Sequence, residues 1–251
     1  GDLSFIHRST YLKARLSAYY TQSYDQTWAR SFYHEDLNTF VNYLMNGVDQ
    51  LNAGVEVGVE AKLTQTISLL GVFGKGQFIY NSRPDVTIVR DNDEKVIVED
   101  EKAYIKNYYV GGMPQTVGSF GVKYSSPRYW FVELKVNYFD DIYLDLNPAR
   151  RTDNAVAKFS SDDVRVNDLL EQNELDEAYT LDLFGGKSWK IKDNYYAGFT
   201  LSVNNILDKK DFASGGFEQL RFDPDNIDRF PPKYFYLYGR TFFLNVYCRF
   251  S

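Results

Sequence analysis

The sequence predicts an all-β, antiparallel fold and, within that class, a transmembrane β-barrel. Three observations carry this expectation. Apolar and polar residues alternate with the two-residue period of a strand in segment after segment. No apolar run approaches the roughly 20 residues of a membrane-crossing helix, so a span would have to be made of strands. Short turns alternate with polar segments of roughly thirty residues, an asymmetry typical of membrane barrels and uncommon in compact soluble domains. A soluble β-sandwich is the competing class. The two differ in whether Val55, Val57, Leu134, Val203 and Leu244 face lipid or a packed inner layer.

Leu3 and Phe5 alternate with polar neighbours, and His7 to Thr10 reads as a short turn. Leu12, Ala14, Leu16, Ala18 and Tyr20 then oppose Lys13, Arg15, Ser17 and Tyr19. The pattern blurs from Asp25 to Val48, which reads as a strand leaving the membrane followed by an aromatic loop. From Leu51 to Leu63 every odd position is apolar, against Glu56, Glu60 and Lys62 at even ones, and the valines favour strand over helix. After a turn at Thr64-Gln65-Thr66, Leu70, Val72, Phe78 and Tyr80 are expected to oppose Lys75, Gln77 and Asn81. A charged segment from Arg83 to Pro114 precedes a strand at Phe120, Val122 and Tyr124 and a turn at Ser125 to Arg128. Trp130, Val132, Leu134, Val136 and Tyr138 oppose Glu133, Lys135 and Asn137.

A second long segment runs from Asn147 to Asp176. Tyr179, Leu181 and Leu183 then oppose Thr180 and Asp182, and a turn is expected at Lys192-Asp193-Asn194. Tyr195, Ala197, Phe199, Leu201 and Val203 form the next apolar row. A third long segment, Leu207 to Leu237, leads to the last strand, where Phe242, Leu244, Val246, Cys248 and Phe250 oppose Asn245, Tyr247 and Arg249. About eight full strands result.

The 251 residues suffice for one sizeable domain. The net charge of -6 gives no electrostatic footprint for nucleic acid. A lone cysteine, Cys248, excludes an internal disulfide and is read as a small hydrophobe. Tyr 21 and Phe 19 supply interfacial girdles or a ligand surface.

Candidate sites are few. His7 and His34 are far apart in sequence, and no His/Cys metal cluster, nucleophile elbow, phosphate loop or catalytic triad is spaced along the chain. The expectation is no catalytic residue, no metal and no cofactor. Asp223, Asp225, Asn226 and Asp228 loosely resemble a calcium loop but lack its glycine and terminal glutamate, so a solvated loop is the simpler reading. Asp91 to Lys102 is a charge run of the kind that solvates a loop. Glu56, Glu60, Lys62, Glu133, Lys135, Asp182, Asn245 and Arg249 are expected to face a polar lumen, which explains paired carboxylates better than acid–base catalysis does. Tyr234, Phe235, Tyr236 and Tyr238 suit an interfacial girdle. Alternatively the same cluster, Tyr234 and Tyr236 foremost, lines a ligand vestibule in the outer loops with Tyr108, Tyr109 and Tyr143.

Several segments carry a resemblance. Leu201-Ser202-Val203-Asn204-Asn205-Ile206-Leu207-Asp208 is followed by Phe212 to Gln219, Arg221-Phe222-Asp223, Phe230-Pro231-Pro232-Lys233-Tyr234 and Gly239 to Asn245. Upstream stand Arg30 to His34, Gly111-Gly112-Met113-Pro114-Gln115-Thr116 and Asn137 to Leu144. Their order and spacing resemble one branch of the TonB-dependent outer-membrane receptors, over essentially the whole chain. The resemblance implies the C-terminal part of a barrel of about 22 strands. Its plug, its TonB-contacting segment and its earlier strands have no counterpart in this sequence.

It also implies residence in a gram-negative outer membrane and TonB-energised uptake of a nutrient such as a siderophore, oligosaccharide, peptide or cofactor. The implied partners are outer-membrane lipid, the plug and N-terminal barrel part, TonB through that plug, the barrel-assembly machinery and a surface lipoprotein. Phe242, Leu244, Val246 and Phe250 would carry the assembly signal, although Ser251 follows the aromatic residue with which the family commonly ends. A self-contained eight-stranded outer-membrane protein with an adhesive or structural role is the alternative. Gly1 is expected to lie within a strand and the chain to be an incomplete piece of a larger barrel, so the sheet is expected to be open and curved, or paired with another chain, because lipid satisfies no unpaired strand edge.

Overall fold

The computed structural model describes residues 1–35, 37–157, 159–160, 163–192, 195–223 and 226–250. The strands in chain order are β1 (Asp2–Arg8), β2 (Leu12–His34), β3 (Thr39–Lys62), β4 (Ile67–Tyr80), β5 (Asp85–Arg90), β6 (Val96–Lys102), β7 (Pro114–Ser126), β8 (Trp130–Tyr143), β9 (Glu174–Leu175), β10 (Ala178–Lys192), β11 (Tyr195–Asn204), β12 (Ala213–Phe217), β13 (Lys233–Tyr236) and β14 (Thr241–Phe250). Between β8 and β9 lie a 3₁₀ turn (Pro148–Arg151) and two short helices, α1 (Asp153–Val156) and α2 (Val164–Leu170). The wall is one antiparallel sheet in the order β1-β2-β3-β4-β7-β8-β10-β11-β14, with the β5–β6 hairpin added onto β3, β9 onto β8, and a small separate β12–β13 sheet. Among the described residues no pairing joins β14 to β1 or β2, so the sheet is open.

The register shows why these segments fold together. One row across eight strands reads Leu12, Ala61, Leu69, Val122, Leu134, Leu183, Val203 and Phe242. Every member is apolar. The neighbouring row begins Lys13, Glu60, Leu70, Gly121, Lys135 and Asp182. A slip of one residue would exchange the two rows, which is why the alternation specifies the pairing so strongly. On the apolar face Val55, Leu134 and Leu244 are exposed and Val57 is half-buried. Val203 departs from the expectation of an open apolar row: it is buried, set between Leu183 and Phe242.

Four other expectations are corrected. His7 and Arg8 are strand residues paired with Ala14 and Lys13, so the first turn is residues 9–11. In β4 the apolar face carries Leu69, Gly71 and Phe73, opposite Ala61, Val59 and Val57. Leu70 and Val72 lie on the polar face, opposite Glu60 and Gly58, and Lys75 falls on the apolar parity opposite Val55. Apolar residues on both sides of this strand made its own alternation ambiguous, and only its partners decide it. The long segments are not structureless either. The first holds the β5–β6 hairpin, and the second holds the 3₁₀ turn, α1 and α2. The turn expected at Asp193-Asn194 and the loop position Asp225 lie outside the described residues.

The fourth correction explains the blurred stretch. Asp25 to Val48 forms no aromatic loop. β2 and β3 continue as a paired tower whose last pair is His34 and Thr39. The pairing slips twice, between Ser23 and Gln26 and again between Gln26 and Trp28, so each strand takes up one extra residue. Asp25 and Gly47, both at positive φ, lie within these two irregularities. Above them the odd residues of β3, which below form the apolar face, turn to the polar-face side. There Val41, Tyr43 and Met45 pack with Val48, Tyr80, Val86, Ile88, Ala103, Ile105 and Leu146 in the main buried cluster. The core of this molecule is therefore not between layers of the wall. It sits at the long-loop end, where the hairpins and loops fold over the polar face.

A candidate ligand vestibule at the long-loop end

Three backbone segments form the base of this region. Gly112 donates its N–H to the Tyr143 carbonyl (3.0 Å), Asp145 to Gly216 (3.0 Å), and Glu218 to Asp145 (2.8 Å). The contacts are close enough to require glycine at two places. A Cβ on Gly111 would overlap the backbone of Leu144 and Asp145, and one on Gly216 would strike the Lys233 carbonyl oxygen and lie 2.9 Å from Leu144 Cδ2.

A buried ion pair locks the loops above this base. Arg151 and Glu218 are almost wholly buried and meet through two parallel contacts, Nη1 to Oε2 and Nη2 to Oε1 at 2.8 Å. Arg151 also donates to the carbonyls of Asn147 (3.0 Å) and Glu171 (2.9 Å), while Glu218 accepts from the Asn147 N–H (2.7 Å). The Asn147 side chain donates to the Gln219 carbonyl (2.8 Å) and accepts from the Ala149 N–H (2.9 Å). The loop after β8, the end of α2 and the strand end after β12 are thus held by one hydrogen-bonded network. Such a pair is tolerated in a dry site because its charges are matched and further hydrogen-bonded.

Beside this network lies a cavity of about 690 Å³. Trp28, Arg30, Gln50, Tyr80, Asp145 and Phe235 give its character, and Gly111, Gly112, Ser214 to Arg221 and Phe32 complete much of its wall. Arg30 stacks on Trp28, 4.8 Å from the ring centroid. Burial pushes the Asp145 carboxyl above its ordinary value, the Arg30 guanidinium opposes this, and Glu218 adds to it. The site therefore offers aromatic faces, a cation and a carboxyl of raised proton affinity. These groups suit a polar ligand with flat or ring-shaped parts.

The five tyrosines proposed from sequence do not converge on it. Tyr108 packs against the main core, and its hydroxyl donates to the Leu170 carbonyl (2.7 Å) while Arg151 lies over its ring. Tyr109 and Tyr143 stack on each other at 4.1 Å. Tyr234 and Tyr236 are exposed and line a separate cavity of about 410 Å³ with Glu174, Glu177, Lys209 and Asp211. Phe235, between them on β13, points the other way and lines the vestibule. The residues missed were Asp145, Asn147 and Arg151. Asn147-Pro148, with Arg150 and Arg151 after Ala149, carries the signal of a capped helical start, which could have marked this turn.

The residues read as lumen-facing, Glu56, Glu60, Lys62, Glu133, Lys135, Asp182, Asn245 and Arg249, share one face of the sheet. Lys13 pairs with Glu60 at 2.9 Å, and Asn137 donates to Asp182 at 2.7 Å. Phe242, Leu244, Val246 and Phe250 lie on the opposite face of β14, all exposed.

Among the described residues one carboxylate trio, Asp140, Asp141 and Glu174, brings its oxygens within reach of a single ion. Protein donors already engage two of them. Asp141 takes Lys75 Nζ (2.6 Å) and the Thr116 hydroxyl, and Asp140 takes the Tyr138 hydroxyl (2.8 Å). In the acidic loop, Asp223 is ion-paired to Arg229 (2.9 Å).

No protein-family model and no curated protein sequence matches the chain. Solved structures do. The chain is similar over 99% of its length to 30% of the copper transporter OprC, with 14% identity and a TM-score of 0.55. It is similar over 100% of its length to 29% of the pyoverdine outer membrane receptor FpvA from Pseudomonas aeruginosa PAO1, with 12% identity and a TM-score of 0.51. The chain thus spans under a third of either structure. Four of the segments that carried the resemblance in sequence, around Arg30, Gly111, Ser214 to Gln219 and Arg221, line one cavity at the loop end of an open antiparallel wall. In fold, this chain is similar to a stretch of the β-barrel wall of TonB-dependent receptors.

Proposed function

We propose that the chain supplies the C-terminal wall and outer loops of a TonB-energised outer-membrane receptor, and that the vestibule beside Arg30 and Asp145 receives the ligand at the extracellular side. One observation carries this reading. Arg30 and Phe32, Gly111 and Gly112, Ser214 to Gln219, and Arg221 all line a single cavity, and each comes from a different segment of the resemblance. The solved structures of similar fold are a copper transporter and a pyoverdine receptor, so uptake across the outer membrane is the activity the fold supports best. In this reading the polar face borders a plug supplied by the rest of the receptor, the apolar face meets lipid, and β14 presents Phe242, Leu244, Val246 and Phe250 to the barrel-assembly machinery. The open strand order does not favour a self-contained small barrel.

The ligand is a polar nutrient with ring-like or planar parts, and the protein acts as a receptor rather than an enzyme. The test is to purify the intact receptor from its native outer membrane and identify the retained ligand by mass spectrometry. The measurement is repeated with Arg30→Ala and Asp145→Asn. A nutrient retained by the native protein and lost from both variants supports the vestibule. Equal retention by all three places the ligand elsewhere.

A further inference from the structure

A second cavity, of about 460 Å³, lies beyond the wall formed by Phe32 and Leu220, which line both it and the vestibule. It is enclosed by the tip of the β2–β3 tower, the β5–β6 hairpin and the turn after β8. Its size is within the roughly 300–1,000 Å³ of small-molecule sites. Ile88, Ile97, Val98, Ala149 and Phe222 make most of it apolar. Lining it is Tyr43, 1% exposed, whose hydroxyl has no hydrogen-bond partner among the described residues.

That hydroxyl is the informative group. A buried phenol left unpaired costs free energy that a structure seldom accepts without a partner for it. The Tyr43 ring is already fixed by Trp28, packed edge-on at 6.2 Å, and by Phe32 at 6.1 Å, so the hydroxyl is not placed there by a loose side chain. Burial and the charge of Glu101 both push the phenol above its ordinary value, which keeps it a donor. Glu101 itself reaches the cavity and accepts from the Asn154 N–H at 3.1 Å.

We infer that this cavity is a second binding site, distinct from the vestibule, for a small apolar molecule whose carbonyl or ether oxygen accepts a hydrogen bond from Tyr43. The occupant would bridge the tower, the β5–β6 hairpin and the turn after β8. The site goes beyond the transport reading and does not depend on it.

Flavone, a planar molecule with one carbonyl acceptor, is a suitable probe, with 2-phenylnaphthalene as its acceptor-free counterpart. Binding to the intact receptor in lipid nanodiscs is followed by quenching of tryptophan fluorescence. Saturable flavone binding is expected, roughly tenfold weaker for 2-phenylnaphthalene and for Tyr43→Phe. Ala149→Phe, which fills the cavity, is expected to abolish it. Trypsin resistance of the outer loops checks that each variant is folded, and Tyr43→Phe, which removes one unpaired oxygen, is the variant least exposed to misfolding. Absence of saturable binding to the native receptor overturns the inference. So does equal affinity for the two probes, or binding that neither substitution changes, since a water-filled void or simple lipid partitioning gives those results.

Discussion

Arg151 and Glu218 show how much a single contact can govern here. Both side chains are almost wholly buried, so removing one leaves the other buried without its counter-charge. Glu218→Gln or Arg151→Met is expected to cost about 3–5 kcal/mol, read by urea unfolding of the receptor in lipid vesicles. The double replacement by Met and Leu should recover much of that loss, whereas additive losses would show that the pair is not what holds the loops. Asp208 acts at the foot of the loop between β11 and β14. Its carboxylate accepts the Arg240 N–H (2.7 Å) and pairs with Lys210 (3.2 Å), and these, in that order, hold it below its ordinary value. A carboxyl held low adds stability that is complete above its unfolded value, about pH 4, and is lost as pH falls through the folded one. Hydrogen exchange in residues 205–210, taken relative to the intrinsic rate at each pH, should therefore rise on acidification in the native protein. In Asp208→Asn it should already be raised at neutral pH and change little.

At the scale of elements, the wall strands were legible and their extensions were not. Leu51 to Leu63 alternates without interruption and Thr241 to Phe250 does so except at Phe243, so their two faces follow from the alternation alone. β4 has Leu69, Leu70, Val72 and Phe73 in near succession, so either face could have been apolar, and its neighbours chose. The aromatic residues between Asp25 and Val48 look scattered because two pairing slips reset the alternation partway along each strand. The vestibule was legible only as a set of segments, because Gly111, Asp145 and Gly216 become neighbours only after the chain has crossed the sheet in β7, β8, β10 and β11, which no spacing encodes. Their close approach makes a sharp prediction. Gly111→Val should separate the 111–112 strand end from Asp145 and abolish ligand retention, while Gly112→Ala, at positive φ with open space around its Cα, should be milder. Equal effects in a retention assay would mean that backbone strain, not packing, governs this wall.

For the molecule as a whole, the two faces of the sheet are its main division of labour. Eight apolar residues in one row, from Leu12 to Phe242, give a band suited to hydrocarbon, and the adjoining row carries charge. Leu134→Arg should cost up to about 2–4 kcal/mol near the bilayer midplane, whereas Lys135→Arg, one residue on, should cost almost nothing. Yield of folded receptor in isolated outer membranes distinguishes them, and equal yields would contradict the assignment of lipid to the apolar face. Sequence alone supplied this division because alternation is a local property. The core at the loop end was hidden from it, being assembled from the tower, a side hairpin and three loops.

The paired slips in the tower have a consequence in arithmetic. Side-chain direction along β2 and β3 is a parity, and the one extra residue in each strand flips that parity once, at matching heights. Loss of one residue near Gly47 would therefore point Tyr43 and Val41 away from the core, while loss of two residues above it would only shorten the tower. Lineages carrying this protein should vary the height of the hairpin in even steps and keep the count at Asp25 and Gly47 unchanged.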